Sequence, residues 1–297
     1  MLTATGAVRQ GTRCDDHSVQ IEAELDAFGE RIAAAPNSER WALAYGDRVS
    51  LWAGTTPAAE LPPAAEQVLD LRYEGDTLLA APMRASRGGW ESLEPLFRTL
   101  HPWRAVAATW AGDDRLLVAA SASGADHRQQ VRLYEGSDRT PGAVLWADES
   151  WERVEAVAAG AGRLAAGALE VRVWDAGTLE QVLTIPDRDK QVRRIVLADG
   201  LVITGYADGQ VAVHGRVVLQ AHEDEACAIA LDPGGARFAT GGWDGRVALW
   251  TIEGELIAEA DTGTEVADVA FLGSGRLLAL HKLPETGVTV LAISAQS

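Results

Sequence analysis

The chain has 297 residues, 47% of them hydrophobic, enough for one large core or two ordinary ones. Its 43 acidic and 26 basic side chains give a formal charge of −17, which repels phosphate backbones and excludes nucleic acid as an expected partner, while a basic protein surface would be attracted. No run of about 18 apolar residues occurs, so no membrane span is expected, and the two cysteines, Cys14 and Cys227, make no disulfide framework.

The opening "MLTATGAVRQGTRCDDHS" lacks the apolar centre of a secretory signal, so the expected setting is cytoplasmic and reduced. Residues 1–17 read as a flexible tail. The first strand-like run, "SVQIEAEL" (18–25), precedes any repeat.

From there a short pattern recurs: Val, any residue, Leu or Val, then a bulky residue. It ends at Trp52 ("VSLW"), Tyr134 ("VRLY"), Trp174 ("VRVW"), His214 ("VAVH"), Trp250 ("VALW") and Leu291 ("VTVL"). The steps are 82, 40, 40, 36 and 41 residues. The first step is two units long, and "WESL", ending at Leu93, occupies the intermediate place. Seven units of about forty residues result.

In the fourth unit the runs are "VEAVAA", "LAAGA", "VRVWD" and "LEQVLTI". The sixth reads "CAIAL", "FATGG", "RVALW" and "ELIAEA", with "DPGGAR" and "WDG" as turns. Two-residue alternation and Gly/Asp punctuation predict four short antiparallel strands per unit. Trp52, Trp174 and Trp250 are expected to pack between units. The seventh unit ends without a fourth strand, and the run 18–25 is free to supply it, which would pair two otherwise open edges. The expected fold is therefore all-β: a seven-bladed propeller of four-stranded antiparallel blades over residues 18–297, closed by the N-terminal strand.

These features resemble the WD-repeat (WD40) β-propeller family over about residues 18–295, and the Ala- and Arg-rich, Lys-poor composition fits a divergent bacterial member. The sixth unit carries the resemblance best, in "AH" (221–222), "DPGG", "FATGGWDG" and "RVALW". What the resemblance implies is a buried hydrogen-bond chain of His222, Thr240, Asp244 and Trp250. It makes Asp244 structural, in a hairpin whose Asp-Gly step supplies the positive φ of a primed turn. The fifth unit keeps Thr204 and Asp208 but has His214 in place of Trp. The fourth has Trp174 and no Asp-Gly turn.

The resemblance also implies an interaction face built from the residues before each turn Asp and those leading into each innermost strand. Mapped by register, these are Trp243, Cys227 and Glu225 from the sixth unit, Gln191 and Arg193 from the fifth, Arg153 and Glu155 from the fourth, and Trp103 from the third. Trp243 and Arg193 lead, because Trp and Arg anchor interfaces most often.

No catalytic constellation accompanies them. The six histidines have no metal-ligand spacing, and neither a phosphate-binding glycine loop nor a nucleophile elbow occurs. Glu30, Glu155, Glu225 and Glu265 take comparable positions, a loose acidic ring at the channel mouth. The expected function is a non-catalytic protein-interaction scaffold, without metal or cofactor, working as a monomeric propeller inside a larger complex. The alternative is a propeller hydrolase, lactonase or lyase, or a small-molecule sensor, using the central channel.

Overall fold

The computed structural model describes residues 17–36, 38–64, 67–74, 76–81, 83–86, 89–90, 103–112, 114–122, 128–135, 140–148, 153–186, 189–273, 275–282 and 287–295. Apart from His17, the expected tail 1–17 lies outside them. The described strands form seven four-stranded antiparallel sheets, each a simple meander, and no helix occurs among the described residues. The blades span 31–60, 70–90, 103–148, 156–185, 192–220, 226–261 and, for the seventh, 266–295.

The seventh blade is completed from the other end of the chain. The opening strand His17–Leu25 pairs antiparallel with Val288–Ala295, from His17 opposite Ala295 to Leu25 opposite Val288. It becomes the outermost strand of that sheet, so the ring is sealed by backbone hydrogen bonds.

Position within a blade dictates the pattern of each strand. Second strands are covered on both faces by neighbouring blades and are buried nearly throughout, as in Leu201–Tyr206 and Arg276–His281. Outermost strands lie on the rim and are exposed, as in Thr56–Glu60 and Gln181–Ile185. Pro57 and Pro141 sit in such rim strands, where a missing N–H costs no ladder bond and discourages edge pairing.

There is no single central core. Seven apolar clusters each join two consecutive blades, from the pair 1–2 around the ring to the pair 7–1. The recurring bulky residue near the end of five of the third strands explains the repeat. Trp52 packs in the 7–1 cluster, Tyr134 in 2–3, Trp174 in 3–4, Trp250 in 5–6 and Leu291 in 6–7. Blades 4, 5 and 6 also need glycine on the second strand, facing the next blade's innermost strand. A Cβ on Gly167 would meet Val192 at 2.7 Å, one on Gly205 the Ala226 carbonyl at 2.3 Å, and one on Gly241 Val266 at 2.5 Å.

Two expectations are corrected. The third strand of blade 2 is Met83–Ser86, not "WESL". Leu79 pairs with Arg84 and Ala80 with Met83, so the hairpin turns immediately after "TLLAA" and the third strand comes early. Trp90 falls in the fourth strand instead, and residues 91–93 lie outside the described ones. The "WDG" hairpin is also not a primed turn. Gly245 N–H donates to Gly242 O at 3.2 Å, and within that turn only Gly245 has positive φ, at 81°. Asp244 keeps an ordinary φ, as in a type I turn closed by a left-handed glycine.

Gly205→Ala is expected to lower unfolding free energy by about 1–3 kcal/mol, because the new methyl meets backbone that cannot swing away. Ile21→Ala in the closing strand should cost about 2–4 kcal/mol. Urea titration of each variant against the unmodified chain checks both.

Candidate functional site

In each blade the innermost strand runs away from one face of the disc, so the loops entering innermost strands and those joining second to third strands share that face. All the interaction residues expected from the sequence belong to these loops or the strand starts beside them.

Beneath this face, blade 6 holds a complete polar chain. Trp250 Nε1–H donates to Thr240 Oγ1 at 3.0 Å, Thr240 Oγ1 lies 2.8 Å from His222 Nε2, and His222 Nδ1 lies 3.0 Å from Asp244 Oδ1. Asp244 is a pure acceptor, so Nδ1 carries the proton and Nε2 accepts from Thr240. Asp244 also receives the N–H groups of Glu223 at 3.0 Å and Arg246 at 3.1 Å. Burial holds the His222 pKa below its ordinary 6.5 against the pull of Asp244. Burial would raise Asp244, but the Glu223 amide, His222 and the Arg246 amide together hold it below the usual carboxylate value. Asp244 is thus spent on holding the loop of His222 and Glu223 to its own hairpin.

Elsewhere the chain is broken up. In blade 5, His214 Nε2 lies 2.9 Å from Thr204 Oγ1 in the place of an indole, while Asp208 pairs with Lys190 at 3.3 Å instead of a histidine. In blade 7, His281 bridges Thr264 and Thr289.

At the channel mouth the structure brings together residues from three blades. Arg193 lies between Glu155 and Glu225, paired with Glu155 through one amino group and with Glu225 through the other at 2.7 Å. Gln191 Nε2 donates to Arg153 O at 2.6 Å, and Arg153 approaches Glu155 at 3.9 Å. Arg193 is therefore a tie between blades 4, 5 and 6, its charge already matched. Cys227 directs its Sγ–H at Val266 O, 2.9 Å away on blade 7. Burial, with Asp268 nearby, pushes that thiol up to about 12, so it stays protonated and unreactive.

Trp243 is partly exposed, its backbone N–H donating to Glu225 O at 3.1 Å. The Lys282 ammonium lies 3.0 Å from its ring centroid and 2.9 Å from Glu265. Trp103 begins the innermost strand of blade 3, opposite Ala122, and its side chain is outside what is described. Of the expected acidic ring, Glu155 and Glu225 share Arg193, Glu265 holds Lys282, and Glu30 accepts from Gln67 at 3.2 Å. Among the described residues no three His, Cys, Asp or Glu side chains converge as a metal-binding group.

Sequence reasoning missed three surface residues. Lys282 comes from the neighbouring blade, and no pattern links it to Trp243. Phe28, 58% exposed, and Tyr45, 45% exposed, also belong to loops of this face. Glu30 N–H donates to Ala44 O at 2.7 Å, so the two loops bearing Phe28 and Tyr45 run side by side. A large aromatic left in water beside a two-residue turn was the available signal for Tyr45. Exposed carboxylates, Asp26, Asp47, Glu223, Asp224, Asp261 and Glu265, surround this sector of blades 6, 7 and 1.

Residues 216–251 match the model of the WD domain, G-beta repeat, a span covering most of blade 6. No curated protein matches the chain by sequence. Solved structures share its fold at low identity. Raptor from Chaetomium thermophilum is 14% identical over 90% of this chain and 28% of its own, with a TM-score of 0.66. The β-propeller domain of Myceliophteria thermophila Cps50 (Swd1) is 14% identical over 92% of this chain and 99% of its own, TM-score 0.72. A chain of a mitotic checkpoint complex is 15% identical over 93% and 84%, TM-score 0.56. This chain thus spans little more than a quarter of Raptor's length and nearly all of the Cps50 domain.

Because His222 is held neutral, the unfolded chain takes up its proton more readily as pH falls below about 6.5. The stability contributed by this group is complete above that pH and is lost progressively towards the lower folded-state pKa. His222→Gln should be less stable near neutrality and show a flatter decline in melting temperature below pH 6.5. A decline as steep as in the unmodified chain would mean that other groups set it.

Proposed function

We propose that this WD-repeat propeller is a non-catalytic scaffold that docks a protein with a basic segment onto the face over blades 6, 7 and 1. The observation that carries the reading is the exposure of Phe28 and Tyr45, with partly open Trp243, inside a rim of carboxylates. Exposed aromatics are the usual anchors of protein interfaces, and an acidic rim speeds capture of a basic partner. The ties beneath the face, Arg193 to Glu155 and Glu225 and His222 to Asp244, hold the loops so that little ordering remains to be done on binding.

The neighbours in fold support the wider setting, since one is a chain of a multiprotein complex. On this reading the chain is a bacterial, cytoplasmic protein that works as a monomeric disc within an assembly. Trp243 contributes the side of its ring that Lys282 leaves open, while Arg193, Gln191, Arg153 and Glu155 shape the surface from below.

The test is affinity capture from the native cell followed by titration of the recovered partner. A Phe28→Ala/Tyr45→Ala variant and a Trp243→Ala variant should each bind at least about tenfold more weakly while unfolding as the unmodified chain does. Full affinity in both folded variants would remove this face from the interaction.

A further inference from the structure

The channel down the axis of the disc encloses a cavity of about 370 Å³, bordered by the innermost strands of all seven blades. Its lining is mixed, with apolar side chains such as Val157, Ile195, Val269 and Phe271 beside the polar side chains of Asp70, Arg72, Thr109 and Arg194. Most are matched. Arg194 donates to Asp268 behind the wall at 3.1 Å, and Asp268 also accepts from the N–H groups of Ile32 and Val269 at 3.2 and 3.1 Å. Thr109 donates to Asp70 at 2.7 Å. These contacts answer a demand of the fold, since each innermost strand turns an unpaired backbone edge towards the axis.

Arg72 is the exception. Its side chain crosses from blade 2 to blade 4, where one amino group donates to Ala159 O at 3.1 Å. Its Nε is buried with no hydrogen-bond partner, and the guanidinium makes no ion pair among the described residues. It also borders a second cavity of about 280 Å³ between blades 2, 3 and 4, which Glu74 and Arg163 line as well. A buried donor without an acceptor is costly. In a chain of net charge −17, Arg72 is thus a cation of the channel wall whose charge no carboxylate among the described residues matches.

We propose that the channel binds a small organic molecule bearing one oxyanion, a carboxylate or a phosphate, clamped by Arg72. A guanidinium meets either group through paired N–H donors, and the two amino groups of Arg72 supply them, the first through the hydrogen not given to Ala159. The cavity volume falls in the range of small-molecule sites, and Val157, Ile195, Val269 and Phe271 on its wall offer contacts to a compact hydrocarbon body. The site lies inside the ring and is independent of the docking face.

Calorimetric titration of the full chain with benzoate, phenyl phosphate, inorganic phosphate and neutral benzamide tests this. Saturable binding of benzoate or phenyl phosphate at one site per chain is expected, with benzamide failing to bind. Arg72→Met should weaken that binding at least about tenfold, whereas Arg48→Met on the exposed surface should leave it unchanged. Should Arg72→Met fail to fold, Arg72→Lys, which keeps charge but loses the fork, should still weaken binding severalfold. The proposal falls if neither organic anion binds at up to about 10 mM, if benzamide binds equally, or if the folded Arg72 variants bind as the unmodified chain. Inorganic phosphate binding as tightly as phenyl phosphate would overturn the organic body and leave a free-anion site.

Discussion

Everything in this molecule depends on contact between consecutive blades. A four-stranded sheet alone is marginal, and here each blade buries its two faces against two different neighbours. The aromatic or aliphatic wedge at the end of a third strand supplies bulk at five of the seven junctions. The absent side chains of Gly167, Gly205 and Gly241 supply room elsewhere. Neither is useful alone, because the interior tolerates neither a void nor an overlap.

This explains how much was legible in the sequence. The wedge recurs at nearly constant intervals in five of the seven junctions, so the blade period could be read from Trp52, Tyr134, Trp174, Trp250 and Leu291, and the closure from the run 18–25 that precedes them. His222, Thr240, Asp244 and Trp250 could be grouped for a similar reason, since all four fall within one unit at spacings that the family repeats. Blade 2 resisted because its hairpin is shortened, which moves the third strand out of period.

What was not legible is whatever one blade lends to another. Lys282 over Trp243, Arg193 between two glutamates, and Arg72 reaching Ala159 all join residues from separate units. No local spacing encodes such meetings, because they arise only when the ring brings non-consecutive segments to one axis. The turn at Asp244 was misread for a smaller reason. An Asp-Gly pair suits two hairpin geometries, and strand register rather than composition selects between them.

The pairing of His17–Leu25 with Val288–Ala295 also has a kinetic consequence. The strand that seals the disc emerges from the ribosome before any blade exists, and its mate emerges after all of them. Until synthesis reaches the last blade, the early strand has no native edge to join and the growing stack is open at both ends. The final closure therefore waits for the last blade, and it is the step most exposed to wrong pairing between molecules.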